Sequence, residues 1–138
     1  MTKTRTLFDT LTTAVNRHDT AAAAAAYGPD VVVASPDGTF TGRDAAVAYL
    51  ARLLDTFPDS EVTVWSKVTS GDLVADEWIF TGTNTGPLRL PDGTAVAPTG
   101  RPVRLRGCDV AAVEDGHVIS HRIYFDQADL LGQLGVAS

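Results

Sequence analysis

An aspartate beside aromatic residues is the feature of this sequence best suited to chemistry. Asp126 follows Tyr124 and Phe125 in HRIYFDQADLLGQLG (His121–Gly135) and stands directly ahead of a short amphipathic run. An apolar enclosure disfavours the charged form of a carboxyl group. It lifts the pKa toward neutrality, where the group can both take and return a proton. Asp126 is equally well placed as a helix N-cap, with Asp129 in the first turn where negative charge is favoured. The residues alone leave both roles open. Period-2 counting along the last strand puts Asp126, Tyr124, Arg122 and Ser120 on one face and His121, Ile123 and Phe125 on the other. The preceding run divides into Asp109, Ala111 and Val113 against Cys108, Val110 and Ala112. On the middle strand, Asp76, Trp78, Phe80, Gly82 and Asn84 share a face. Trp78 and Phe80 read as core or pocket wall. Asn84 is a tie for its loop or a donor to a carbonyl. Asp109 is an ion-pair partner for Arg104, Arg106 or Arg122, or a second site acid.

The other chemistry-bearing residues give weaker signals. His117 reads as a solvated turn residue and His18 as a connector between two helices. His121, on the face opposite Asp126, reads as an interface or surface residue. No two histidines stand at ligand spacing with a carboxylate, so no metal site is expected. Cys108 is the single cysteine and reads as a small apolar filler. With no internal disulfide possible, a cytoplasmic setting is expected. The formal net charge of −6 argues against a nucleic-acid or anionic-membrane surface, since both call for a basic patch. The N-terminus lacks an apolar stretch of signal-peptide length, and no segment is suited to spanning a membrane.

The elements that must position these residues follow from periodicity. The chain of 138 residues with 44% apolar content suits one domain, 1–138. Leu7, Leu11, Ala14 and Val15 predict a helix over about Thr4–Asn16. Asp19 caps a short alanine helix that stops near Gly28-Pro29. Val31–Ser35 is a strand, turning at Pro36–Gly38. A third helix opens at Thr41 or Gly42, carries Val47, Leu50, Leu53 and Leu54 as its stripe, and ends at Pro58. Beyond it the period becomes alternating. One hairpin turns at Ser70–Asp72 and a second at Glu114–His117. Between them, Thr85–Pro102 holds four prolines and three glycines and reads as a long loop. A short helix from about Gln127 to Leu134 closes the chain. Helices first and hairpins second is an α+β order, with a curved sheet able to enclose a pocket against its helices.

This order, with FPD (Phe57–Asp59), GTNTG (Gly82–Gly86), PTGRPV (Pro98–Val103) and the terminal D…LLGQLG, resembles the SnoaL-like polyketide cyclases. These lie within the cone-shaped superfamily of nuclear transport factor 2 and ketosteroid isomerase. The resemblance covers nearly the whole chain. It implies a cone of three N-terminal helices on a strongly bent, mostly antiparallel sheet, paired into a homodimer through the sheet's outer face. It also implies a reaction without metal or cofactor. A proton is taken from a carbon between carbonyls of a polyketide-like, aromatic or polycarbonyl substrate, and the enolate closes a ring on a ketone of the same molecule. By position Asp126 matches the family's acid/base. An acid stands near Asp109 in ketosteroid isomerase-like relatives, so Asp109 is expected to pair with it. If close, the two would repel and separate into an acid and a base. Asn84 stands where the cyclases often have histidine, and an amide holds a carbonyl oxygen but shuttles no proton. Arg122 and Tyr124 are expected to position or stabilise the enolate, and Trp78 and Phe80 to form the apolar wall.

Other functions remain open on the same shape. Epoxide hydrolases of this fold use an Arg-x-Asp pair on the middle strand, where this chain has Trp78 and Phe80. Binding of a hydrophobic ligand, or an accessory role, requires no catalyst at all.

Overall fold

The structure is a computed structural model that describes residues 2–90 and 92–136. Helix α1 (Lys3–Asn16) is opened by Thr2, whose side chain accepts from the Arg5 amide at 3.0 Å. It buries Phe8, Leu11 and Ala14, one per turn. Helix α2 (Thr20–Ala26) is capped by Asp19, which accepts from the Ala22 amide. Its alanines bring the backbone close to its neighbours, and Ala23 and Ala26 are buried. The chain then enters strand β1 (Tyr27–Ser35) with no intervening loop, so this strand begins well before Val31. A short strand β2 (Gly38–Thr41), which periodicity did not reveal, folds back on it. Helix α3 (Arg43–Thr56) starts after Gly42, whose φ of 92° suits glycine. It ends one residue short of the Phe57-Pro58 step.

The long hairpins are β3 (Glu61–Ser70) with β4 (Leu73–Thr83), and β7 (Pro102–Glu114) with β8 (His117–Phe125). Between them the proline-rich segment carries two two-residue strands, β5 (Leu88–Arg89) and β6 (Ala95–Val96). Helix α4 (Gln127–Leu134) follows β8 and stops at Gly135, which is left-handed. The six-stranded sheet runs β2-β1-β8-β7-β4-β3. All its pairs are antiparallel except β1 with β8. The fold is α+β, a curved and mostly antiparallel sheet with helices at the N-terminus and a short helix at the C-terminus.

A bulge in β8 decides which side chains face inward. Ala112 pairs with Ser120 but Val113 with Val118, so Ile119 is an extra residue. Across it Val118 and His121 are both buried. Beyond it the inward set is His121, Ile123 and Phe125, while Arg122 and Tyr124 are exposed. Counting in twos from Val118 therefore gives the wrong face for the rest of the strand. The division of His121, Ile123 and Phe125 from Arg122, Tyr124 and Asp126 stands, but the expectation that the second set faces the pocket fails. It followed the resemblance at Asp126, whereas the set carrying the apolar Ile123 and Phe125 is the one that turns inward.

Two apolar clusters fill the interior. One joins α1, α2 and α3 to the sheet through Phe8, Leu11, Val31, Val33 and Leu50. The other joins α4 and the proline-rich segment to β4 and β7 through Trp78, Phe80, Leu105, Leu131 and Leu134. Each fully buried side chain of this kind stabilises the fold by about 1.5–3 kcal/mol. A buried ion pair pins α1 to the sheet: Arg5 donates to both carboxylate oxygens of Asp76, each at 2.8 Å. That pairing is the main cause holding the Arg5 pKa above its usual value, against the opposing effect of burial. Among the described residues, no helix is long and apolar enough to cross a membrane.

Candidate functional site

Where the two clusters meet, the sheet, α3 and the start of α4 surround a cavity of about 150 Å³. An apolar space of this order accepts one aromatic ring. Its walls are mostly apolar and include Trp78, Phe80, Leu105, Ile123, Phe125 and Leu130. Trp78 lies across β7 opposite Gly107. A Cβ at Gly107 would sit 2.3 Å from the indole, so only glycine leaves room for this wall.

Two polar groups interrupt the apolar lining. The inner one is Asp109 on β7, His121 on β8 and Tyr27 at the start of β1. Asp109 is opposite Ile123 and His121 opposite Ala111, so register places the acid and the imidazole on the same inward face. His121 Nε2 lies 3.4 Å from Asp109 Oδ2, without hydrogen-bond alignment. On its other side, His121 Nδ1 is 2.8 Å from the Tyr27 hydroxyl. Burial, reinforced by the negative charge of Asp109, pushes the Tyr27 pKa well above its usual value. Tyr27 therefore stays a phenol, able to donate to Nδ1. In the tautomer that accepts this bond the imidazole proton sits on Nε2, toward Asp109. Phe8 packs edge-on against the ring at 5.4 Å. The Asp109 side chain retains 17% exposure, so the carboxylate is enclosed but reachable.

The outer group comes from the β1–β2 turn, α3 and the first residue of α4. Tyr49 donates to Asp37 Oδ2 at 2.6 Å and accepts from Ser35 Oγ at 2.9 Å. Gln127 Nε2 donates to Asp37 Oδ1 at 3.2 Å. Burial, with the adjoining Asp37 charge, raises the Tyr49 pKa. Arg52 and Arg89 complete the charged lining.

Of the residues that sequence reasoning singled out, the cavity takes in Asp109, Trp78 and Phe80. It leaves out four. Asp126 is exposed at the head of α4, where Oδ1 accepts from the Asp129 amide at 3.0 Å. It is an N-cap and has no part in the cavity wall. Asp109 and Asp126 do not form a carboxyl pair; the partner of Asp109 is His121. Arg122 and Tyr124 lie on the exposed outer side. Asn84 is fully buried, but its amide is already occupied. Nδ2 donates to Gly86 O at 2.7 Å and Oδ1 accepts from the Thr99 amide and hydroxyl, each at 3.0 Å. It clamps the proline-rich segment and has no group left for a substrate. His121, read as an interface or surface residue, is buried in the site. The signal for it was the apolar pair Ile123 and Phe125 on its own face. Tyr27, Asp37, Tyr49, Arg52 and Gln127 come from four separate elements, and no spacing links them. Among the described residues no three His, Cys, Asp or Glu side chains gather as a metal set.

A curved sheet closed by helices over an apolar cavity with few inward polar groups defines the nuclear transport factor 2-like class. The chain belongs to the SnoaL-like polyketide cyclase family, whose model matches residues 5–134. Similar solved structures include IdmH, a candidate polyketide cyclase of Streptomyces antibioticus, with 28% identity and a TM-score of 0.80 over 96% of this chain and 99% of that one. AclR, a candidate hydroxylase of Streptomyces galilaeus, has 27% identity and a TM-score of 0.81 over 96% and 95%. A candidate SnoaL-like polyketide cyclase of Jannaschia sp. CCS1 shares the fold with a TM-score of 0.86 at 21% identity, over 99% and 94%. No sequence among curated proteins matches this chain significantly.

Proposed function

We propose that the protein is a cofactor-free acid/base enzyme that closes a ring in a polyketide-like polycarbonyl or aromatic substrate. The observation that carries this reading is the Asp109–His121 pair, a carboxylate and an imidazole inside a mostly apolar cavity. Asp109 removes a proton from a carbon flanked by carbonyls, and the C–H electron pair passes into the enolate. The enolate carbon attacks a ketone carbon of the same molecule. One C–C bond forms, the C=O π pair moves onto oxygen, and the alkoxide takes back the proton that Asp109 held. The sum is an isomerisation that consumes nothing. His121 Nε2–H, oriented by Tyr27, steadies the carboxylate or the enolate oxygen. The apolar walls exclude water, which strengthens each of these interactions.

The substrate side of this reading is a small hydrophobic or aromatic polycarbonyl molecule. On the partner side it is a homodimer through the outer sheet face, where Tyr124 and Leu73 are each 50% exposed. A second reading, ligand binding without turnover, draws on the exposure of Asp126, the aspartate that the resemblance assigned to catalysis. Screening polycarbonyl compounds for ring closure by chromatography and NMR separates the two. Wild-type turnover that Asp109→Asn abolishes supports the enzyme. Binding without turnover in either protein supports the ligand carrier.

A further inference from the structure

Among the described residues three side chains of the cavity wall keep a buried polar atom without a hydrogen-bond partner: His121, at Nε2 beside Asp109, and, in the outer group, Arg52, at Nε, and Gln127, at Oε1. A buried donor or acceptor left unmade loses its hydration with nothing in return. Of the outer two, one is a donor and the other an acceptor. Both are held in position by neighbours. Gln127 Nε2 donates to Asp37 Oδ1. Exchanging the amide's oxygen and nitrogen would set oxygen against a carboxylate, so the orientation is determined. Asp37 is fixed in turn by the short bond from Tyr49. The Tyr49 ring stacks on Phe40 with centroids 4.3 Å apart, and the Arg52 guanidinium carbon lies 5.7 Å from both centroids. Arg52 forms no ion pair among the described residues. The aromatic stack thus positions a cation whose Nε–H is still to be used.

We propose that Arg52 and Gln127 form a recognition subsite for the substrate's oxygens, Arg52 Nε donating to a carbonyl or carboxylate and Gln127 Oε1 accepting from a hydroxyl. This rests on reading the cavity as the substrate site and adds the substrate class: a hydroxylated carbonyl compound whose bound end is about one ring wide. Asp37 and Tyr49 are positioning residues for it.

The test is direct binding to the full chain, by calorimetric titration, of 3-hydroxyacetophenone and its isostere 3-methylacetophenone. A site that hydrogen-bonds a hydroxyl rejects the analogue lacking it, so the wild type binds the hydroxy ketone about tenfold more tightly. Arg52→Met weakens both ketones by about tenfold, since both offer a carbonyl to its Nε–H. Gln127→Met weakens only the hydroxy ketone and abolishes the preference. Equal or tighter wild-type binding of the methyl isostere overturns the subsite, and needs no variant to fold. So does an Arg52→Met protein that binds both ketones as the wild type does. Asp109→Asn keeps the ranking. If that variant still turns substrate over, the acid/base reading fails and the subsite stands. If it is inactive but the wild type shows no ranking, the subsite fails and the acid/base reading stands.

Discussion

Asp76 and Asp109 face each other across one rung of the β4–β7 ladder, and both point inward. They have opposite fates. Asp76 is 1% exposed, and both its oxygens accept from Arg5, itself tied to Asp9, Thr69 and the Val68 carbonyl. Among the described residues Asp109 has one side-chain partner, an imidazole at 3.4 Å, and cavity space beyond it. Like charges set opposite each other destabilise a sheet. Arg5 removes that conflict on one side alone. A neutralised carboxylate is a structural part; the one left short of partners beside a mostly apolar cavity is the acid/base that we propose. The difference lies in what the rest of the fold brings to each end of the rung, not in the strand chemistry.

Substitutions at the rung put this contrast to the test. Asp109→Asn is expected to lower turnover by about 10²–10⁴-fold, the worth of a positioned base, while urea denaturation shows stability equal to wild type or higher. A large loss of stability there would make Asp109 a second structural acid. Asp76→Ala is expected to cost about 3–5 kcal/mol, because Arg5 would be left buried and uncompensated. Replacing both, as Arg5→Met with Asp76→Leu, should recover most of that loss. Gly107→Ala forces Trp78 to move and is expected to cost about 1–3 kcal/mol, with weaker binding of aromatic ligands in titration.

Two smaller effects complete the series. Tyr27 and Tyr49 have pKa values raised in the fold above the usual 10.0, first by burial and then by Asp109 and Asp37 respectively. The unfolded chain therefore releases these protons first. Their contribution to stability is fully present below about pH 10 and declines as the pH rises beyond it. Tyr27→Phe should flatten that decline in denaturation curves taken between neutral and strongly alkaline pH. Last, Asp126→Ala should cost about 1 kcal/mol through the lost cap, and Asp126→Asn only a few tenths, since asparagine caps as well. Turnover should be unchanged in both. A turnover loss in Asp126→Asn with the fold intact would return the acid/base role to the β8–α4 joint.

Much of this molecule was legible as pattern. The stripe of Leu7, Leu11 and Ala14, the cap at Asp19, the turns at Ser70–Asp72 and Glu114–His117, and the α+β order are local signals. Local propensity and burial agree there. So is the inward face Asp76, Trp78 and Phe80, because β4 alternates without interruption. The last strand is different. Its bulge at Ile119 shifts the phase by one residue, and no propensity marks that residue in advance. Downstream of it the division of His121, Ile123 and Phe125 from Arg122 and Tyr124 was legible, but which of the two faces turns inward was not, and the resemblance at Asp126 pointed to the wrong one.

The sequence by itself determined the helices, the two long hairpins and their order, because periodicity, caps and turn residues act over a few neighbours along the chain. Its motifs carried the resemblance to the family; the short strands β2, β5 and β6 were not legible. Only the tertiary structure decided which aspartate is enclosed and which is solvated. It also decided that His121 and Tyr27, 94 residues apart, share a hydrogen bond and that Asn84 serves its loop. Proton affinity and hydrogen-bond supply depend on burial and on groups brought in from distant segments, and those are properties of the folded chain.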